Sequence, residues 1–268
     1  MERSVTAVAI WFEPHDNVVW AVSDTRVSGK HGGALTEGAA KILPLSLRCF
    51  TAGDEGFFNR PTLSTSFGFA YAGSTLIATM TYAVTNNLLQ TLFAFPSQPP
   101  PSLLDAAALV GRIAERYVRE ICDDVEIGVF GWCPLQQHYR AALIHHDPRA
   151  TPRQMIIVEQ PLLQEKFTLV LGTDKALIQE VIGAVYKEFE GQILKRAPKH
   201  ALQRIIESGT SPEIGGSLQL GVASAHGFTL KSYVTPNALG GIKFSFLGLD
   251  IDELGDVGGY RMGMIAIA

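Results

Sequence analysis

The first sixty-odd residues alternate between apolar runs and polar breaks. Residues 5–12 are apolar at every position except Thr6, and residues 18–22 are apolar throughout. Between them lies Glu13-Pro14-His15-Asp16-Asn17. Two runs of strand length around a turn rich in Pro, Asp and Asn predict a β-hairpin. Its second strand ends in Ser23-Asp24-Thr25-Arg26, and a polar, Gly-rich loop follows. A further short strand is expected to begin at Ala40-Lys41-Ile42-Leu43, and residues 49–66 read as loop. Residues 67–72 read as a strand that stops at Gly73-Ser74, where a helix starts and runs to about Phe95.

Pro96 and the run from Pro99 to Pro101 break the chain. Ser102 with Asp105 has the form of a capping box. The helix behind it carries Ala106, Val110, Ile113, Tyr117 and Ile121 at spacings of three and four, which predicts one buried stripe. A hairpin pattern follows around residues 134–137, then strands near 155–158 and 167–171. Gly172-Thr173 opens another helix, with Thr173 expected as its N-cap. A fourth helix is expected from Pro198 to Ser208, and strands follow Ile214-Gly215-Gly216. The Gly-rich tail from Asn237 reads as a pair of strands with a loop.

The order is strands, two helices, strands, two helices, strands, with no repeat and no linker. The expectation is one domain over residues 1–268, of α+β class. Helix pairs between runs of strands suggest two packed sheets with helices on both outer faces. Strands that are nearly all apolar fit sheets buried on both sides.

Composition narrows the function. Of 268 residues, 47% are hydrophobic and 18% charged, which is ample for a core. A net charge of −4 gives no reason to expect nucleic acid or an anionic membrane as partner. Three cysteines without framework spacing read as free thiols in a reducing compartment. No stretch reaches the roughly 20 apolar residues that span a bilayer, and the start lacks a signal-peptide pattern. A cytoplasmic protein is expected.

The candidate chemistry is sparse. A hydroxyl near the start, then an acid and a lysine, is one way to build an N-terminal nucleophile. Lys41 by itself reads as an ordinary surface lysine. The corner at Gly73 presents backbone N–H groups and the positive end of a helix, which suits an oxyanion or an ordinary tight turn. His145-His146-Asp147 alternate in facing along a strand, so no metal site is expected there, and nothing calls for a cofactor.

Taken in order, these pieces resemble the proteasome-type N-terminal nucleophile hydrolases, the family of proteasome β subunits and the bacterial homologue Anbu. Ala21-Val22-Ser23-Asp24-Thr25-Arg26 is similar to the family's Ala-x-Asp-x-Arg strand end, with one extra residue between Ala and Asp. Ala40-Lys41-Ile42 is similar to its lysine strand, Ala72-Gly73-Ser74 to its helix start, and residues 127–132 with 141–144 to its central hairpin. Leu171-Gly172-Thr173 and Ile214-Gly215-Gly216 match two later landmarks. The resemblance covers about residues 4–235 and leaves 236–268 as an extra C-terminal segment.

The resemblance implies a four-layer αββα sandwich of two antiparallel sheets. It implies threonine peptidase or amidase chemistry: removal of residues 1–5 exposes Thr6, whose hydroxyl attacks a peptide or small amide carbonyl. Asp24 and Lys41 take the charged roles, Gly73 supplies an oxyanion N–H, and Thr173 stands at the family's serine position. A homo-oligomer, as a ring or stacked dimers, is implied, and an unfoldase is a partner the family allows. Thr6 lies two residues further from Asp24 than in the family pattern, which the long turn at 13–17 absorbs without changing side-chain facing; Ser4 is the second choice. Three departures favour the alternative, a silent subunit serving assembly or ligand binding. Val5 stands where self-processing subunits usually carry Gly, the chain begins at Met1, and residues 211–214 lack the family's acid and hydroxyl.

Overall fold

The computed structural model describes residues 6–29, 33–53, 56–94, 98–189, 196–236, 241–260, 262 and 266–267. Ser4 lies outside them.

The first hairpin forms as expected. β1 (Ala7–Glu13) pairs antiparallel with β2 (Val18–Asp24), and Trp11 faces Trp20 across the ladder. β3 (Val27–Ser28) and β4 (Ala34–Thr36) form a small separate ribbon. β5 (Ile42–Thr51) and β6 (Arg60–Gly73) then pair antiparallel over most of their length. Much of the segment expected as loop, residues 49–66, is therefore strand. Its outer part is built from Thr62, Ser64, Thr65 and Ser66, whose polarity masked a partly exposed strand.

The helix after Gly73 is shorter than expected. α1 (Thr75–Leu89) stops at Gln90, and β7 (Leu92–Phe93) runs parallel to β5. Phe95 lies outside the described residues. α2 (Leu103–Ile121) has the capping box read from the sequence: Asp105 N–H donates to Ser102 Oγ at 3.1 Å, and Ser102 N–H donates to Asp105 Oδ2 at 2.8 Å. Its buried stripe runs through Ala106, Ala107, Val110, Gly111, Ala114 and Val118, while Ile113, Tyr117 and Ile121 are only partly buried. Small residues allow close approach, and a Cβ on Gly111 would lie 3.0 Å from the Ile157 side chain.

β8 (Val125–Cys133), β9 (His138–His146), β10 (Met155–Gln160) and β11 (Thr168–Gly172) follow. Then come α3 (Lys175–Glu188), α4 (Ala197–Ser208), β12 (Leu218–Ser224) and β13 (Gly227–Pro236). In the tail, β14 (Ile242–Phe246) and β15 (Leu249–Asp250) form the expected pair of strands, followed by α5 (Ile251–Leu254) and β16 (Ala266–Ile267).

The result is an α+β fold with antiparallel sheets. One sheet has the order β11-β1-β2-β12-β13-β14-β15, and β16 joins β13 in parallel. The other has the order β10-β9-β8-β6-β5-β7. Both faces of β1 are buried. Ala7, Ala9 and Trp11 pack with Ile178, Val185, Leu202 and Ile205 of α3 and α4. Val8 and Ile10 pack with Ala70, Phe130 and Ala141 of the other sheet. A separate apolar cluster joins α1 and α2 to that second sheet through Phe69, Ile77, Val110 and Val129. The unbroken apolar pattern of β1 follows from this double burial.

Candidate active site

Asp24 is the last residue of β2 and is fully buried. Its carboxylate accepts four hydrogen bonds. Oδ1 accepts the Ala7 N–H at 3.1 Å and the Lys41 ammonium at 2.8 Å. Oδ2 accepts the Arg26 and Gly215 N–H groups, each at 3.2 Å. A buried carboxylate needs such partners, and donors from β1, the lysine and the loop before β12 meet on it.

Lys41 sits one residue before β5 and is also fully buried. Besides Asp24, its ammonium donates to the Arg26 carbonyl. Burial lowers its pKa below the ordinary 10.5, and the neighbouring Asp24 carboxylate offsets only part of that cost. The lysine is held by its backbone as well. Gln219 Oε1 accepts the N–H of Lys41 at 2.9 Å and of Ile42 at 3.1 Å, and Gln219 Nε2 donates to the Ala39 carbonyl. Tyr71 OH donates to the Ala40 carbonyl at 3.0 Å. Burial pushes the Tyr71 hydroxyl up to about 12, so it stays a donor. Gln219 and Tyr71 were not singled out from sequence. Gln219 lies 178 residues from Lys41, and no local pattern marks it.

Thr6 lies immediately before β1 and is 4% exposed. The N–H on Asp24 Oδ1 belongs to the peptide bond that follows Thr6. The Thr6 carbonyl lies against the backbone of Gly172, opposite Ala7 in the β1–β11 ladder. A Cβ on Gly172 would fall 1.6 Å from that oxygen, and φ there is +106°. Only glycine fits such a backbone. The same Cβ would lie 3.5 Å from Ala72 Cβ, so the corner at Gly73 is adjacent. Gly73 has φ +103°, and the next N–H, of Ser74, donates to the Asp124 carbonyl at 2.8 Å. Ser74 caps α1 by position, without a side-chain hydrogen bond.

Thr173 follows Gly172. It is not the N-cap of α3: that position is Asp174, in the left-handed region at φ 51°. Thr173 Oγ1 is instead buried with no hydrogen-bond partner. Asp174 Oδ2 accepts the Ser211 hydroxyl at 3.0 Å. Residues 211–214 therefore do meet a carboxylate, and it comes from Asp174, a residue the sequence reading passed over. Glu126 was missed as well. It accepts the Gly172 N–H at 2.8 Å and the Lys175 ammonium at 2.6 Å, tying β8 to the start of α3.

Of the five residues expected from sequence, Asp24 and Lys41 are in direct contact, and Thr6 is joined to them through its peptide bond. Gly73 and Thr173 lie on the two corners beside it. The chemistry available is a hydroxyl residue next to a buried carboxylate–lysine pair, at the junction of both sheets. Among the described residues, no group of three His, Cys, Asp or Glu side chains is placed to hold a metal ion, and no helix is long and apolar enough to cross a membrane.

No protein-family model and no curated protein matches the sequence. Solved structures do. The chain is similar to Anbu from Hyphomicrobium sp. strain MC1, with a TM-score of 0.52 and 15% identity over 84% of each chain. A mutant of Anbu from the same strain aligns with a TM-score of 0.52 and 14% identity, over 84% of this chain and 86% of that one. The fold is Anbu-like and proteasome-type. At this identity the likeness is one of fold, and the Anbu-like fold by itself assigns no catalytic residue.

Proposed function

We propose that the protein is a proteasome-type N-terminal threonine hydrolase that cleaves peptide or amide bonds. One observation carries this reading: Asp24 Oδ1 holds both the Lys41 ammonium and the peptide N–H that follows Thr6. A buried acid–lysine pair is costly to maintain, and this one lies one peptide bond from the candidate nucleophile.

In this reading, residues 1–5 are removed and Thr6 gains a free α-amine. The amine takes the proton of the Thr6 hydroxyl, and Oγ1 adds to the substrate carbonyl. The Lys41 ammonium, held in place by Asp24, supplies the positive charge that favours the forming alkoxide. The negative carbonyl oxygen lies at the Gly73 corner, where the positive end of α1 points. Collapse of the adduct breaks the C–N bond, and the proton on the α-amine passes to the leaving amine. Water then hydrolyses the Thr6 ester. Thr173 Oγ1, buried without a hydrogen-bond partner, takes the role of bonding the α-amine in this reading. The reading carries with it the four-layer αββα arrangement, a homo-oligomeric assembly and a cytoplasmic setting.

The test is the intact mass of the native protein together with labelling by a peptide epoxyketone, which captures a threonine hydroxyl and its α-amine together. The expected result is a mass lacking residues 1–5 and an adduct on Thr6 that Thr6→Ala abolishes. A full-length mass without an adduct overturns the hydrolase and leaves a silent assembly subunit.

A further inference from the structure

The sheet that packs under α1 and α2 ends on β10, Met155-Ile156-Ile157-Val158-Glu159-Gln160, and among the described residues no strand pairs with its outer side. Two contacts show which backbone groups face outward. The Asp147 N–H donates to the Gln154 carbonyl at 2.8 Å, so these two form a hydrogen-bonded pair just before the β9–β10 ladder. Bonded and open pairs alternate along an antiparallel ladder. Residues 156, 158 and 160 therefore bond to β9, while 155, 157 and 159 turn their N–H and C=O groups away from it. Met155 agrees, because its N–H donates to Glu115 of α2 at 2.9 Å. Among the described residues, the outward N–H groups of Ile157 and Glu159 meet no acceptor.

Proteins usually blunt such an edge with Lys, Pro, a bulge or a very short strand. Among the described residues, the other ends of the two sheets are protected. β7 and β15 are two residues long, and the middle of β11 is buried. β10 has none of these devices. Its register with β9 is unbroken, and Ile156, Ile157 and Val158 are 37%, 38% and 40% exposed. Its single charge, Glu159, is taken up by Arg140 at 2.6 Å. Consecutive apolar residues on an open edge are a costly surface to leave in water.

We propose that β10 pairs with β10 of a second copy of this chain, antiparallel across a two-fold axis at Val158, so that the two sheets continue as one. A two-fold contact needs a surface that complements itself, and this edge does. With Val158 on the axis, Ile157 of each copy faces Glu159 of the other, and the outward N–H and C=O groups of the two residues bond each other. Met155 keeps its bond to Glu115. Glu159 falls opposite an isoleucine and stays with its own Arg140, so no like charges meet. A register centred on Ile157 would need the Met155 N–H that Glu115 holds, and one centred on Glu159 would set two carboxylates face to face. The proposal rests on the homo-oligomeric part of the reading above and names the surface that serves it; the threonine chemistry is read separately, by the adduct on Thr6.

The test is sedimentation of the full-length native protein beside Val158→Lys and Glu159→Pro. The native protein is expected to sediment as a dimer or a multiple of one. Val158→Lys sets two ammonium groups on the axis, and Glu159→Pro removes an outward N–H without taking a bond from β9. Each is expected to halve the sedimenting mass, or to raise the dissociation constant about tenfold or more, with an unchanged far-ultraviolet spectrum. Crosslinking reads the register without relying on either variant. In the proposed pairing, residues 158 of the two copies approach to about 4.5 Å at Cα, within the roughly 4.4–6.8 Å that a disulfide spans. Residues 156 stand roughly 14 Å apart. Val158→Cys is expected to crosslink between copies under copper phenanthroline, and Ile156→Cys to stay uncrosslinked. A monomeric native protein overturns the proposal. So does an oligomer that both folded variants leave intact, or equal crosslinking through positions 156 and 158.

Discussion

At the residue scale, the molecule turns on two opposite charges shut away from water. Removing one of them strands the other. Lys41→Ala is expected to lower turnover of a peptide substrate about 10²- to 10³-fold, the usual worth of one group placed to stabilise developing negative charge. It is also expected to cost about 3–5 kcal/mol of stability, because Asp24 then lies buried without its counter-charge. Kinetics below the variant's melting transition, with urea unfolding alongside, separates the two effects. Unchanged turnover removes Lys41 from the mechanism.

The same lysine gives a pH signature with a definite sign. Its folded pKa lies below the ordinary 10.5, so between those values the unfolded chain binds more protons than the native one. Stability from this group therefore rises with pH across that window. Tyr71 opposes it from about pH 10, since its folded value near 12 means the unfolded chain loses its proton first. Unfolding free energies measured below pH 10 for the native protein and Lys41→Met are expected to diverge as pH rises, with the native protein gaining. A constant difference across that range contradicts the burial argument.

At the scale of elements, the junction of β1 with β11 depends on a missing side chain. Gly172→Ala places a methyl on the Thr6 carbonyl oxygen and strains a backbone at φ +106°. The expected outcome is a loss of stability well beyond the ~1 kcal/mol of an ordinary glycine replacement, together with loss of Thr6 labelling. Gly183→Ala is the control. It lies in α3, where an added Cβ meets nothing within 4 Å, and is expected to be neutral or mildly stabilising by circular dichroism melting.

The elements also show what a sequence can and cannot reveal. β1 and β2 were legible because burial on both faces leaves unbroken apolar runs. The cap of α2 was legible because both of its partners lie within three residues. The outer half of the β5–β6 ladder was hidden, since a partly exposed strand made of serines and threonines looks like loop. The residues themselves offered a hydroxyl, an acid and a lysine, but Lys41 ceased to read as a surface residue only through the resemblance, because nothing in the local pattern marks a lysine as buried. Asp174 with Ser211, 37 residues apart, and Gln219 with Lys41 were illegible for another reason. Each pairing is made by strand and helix packing that no local window contains.

For the whole molecule, the relevant fact is that three apolar clusters share strands. β1 contributes to two of them, and the second sheet contributes to two. Trp11 and Trp20 report on the cluster under α3 and α4, while Trp132 packs against the cluster shared by the two sheets, in which Phe130 lies. Phe130→Ala is expected to cost about 3–5 kcal/mol. It is expected to move the tryptophan fluorescence transition and the far-ultraviolet transition together. Separate transitions would mean that the two sheets unfold as independent units.

One consequence of the Asp24 contacts concerns the making of an end. A freshly cut chain ordinarily frays over several residues, and a frayed terminus is a poor tool. Here the peptide N–H of Ala7 is clasped by a buried acid from the neighbouring strand. A cut before Thr6 leaves just one residue ahead of that mooring. In the proposed hydrolase, the new amine would therefore stand one residue from a contact that Ala7 and Asp24 make between themselves.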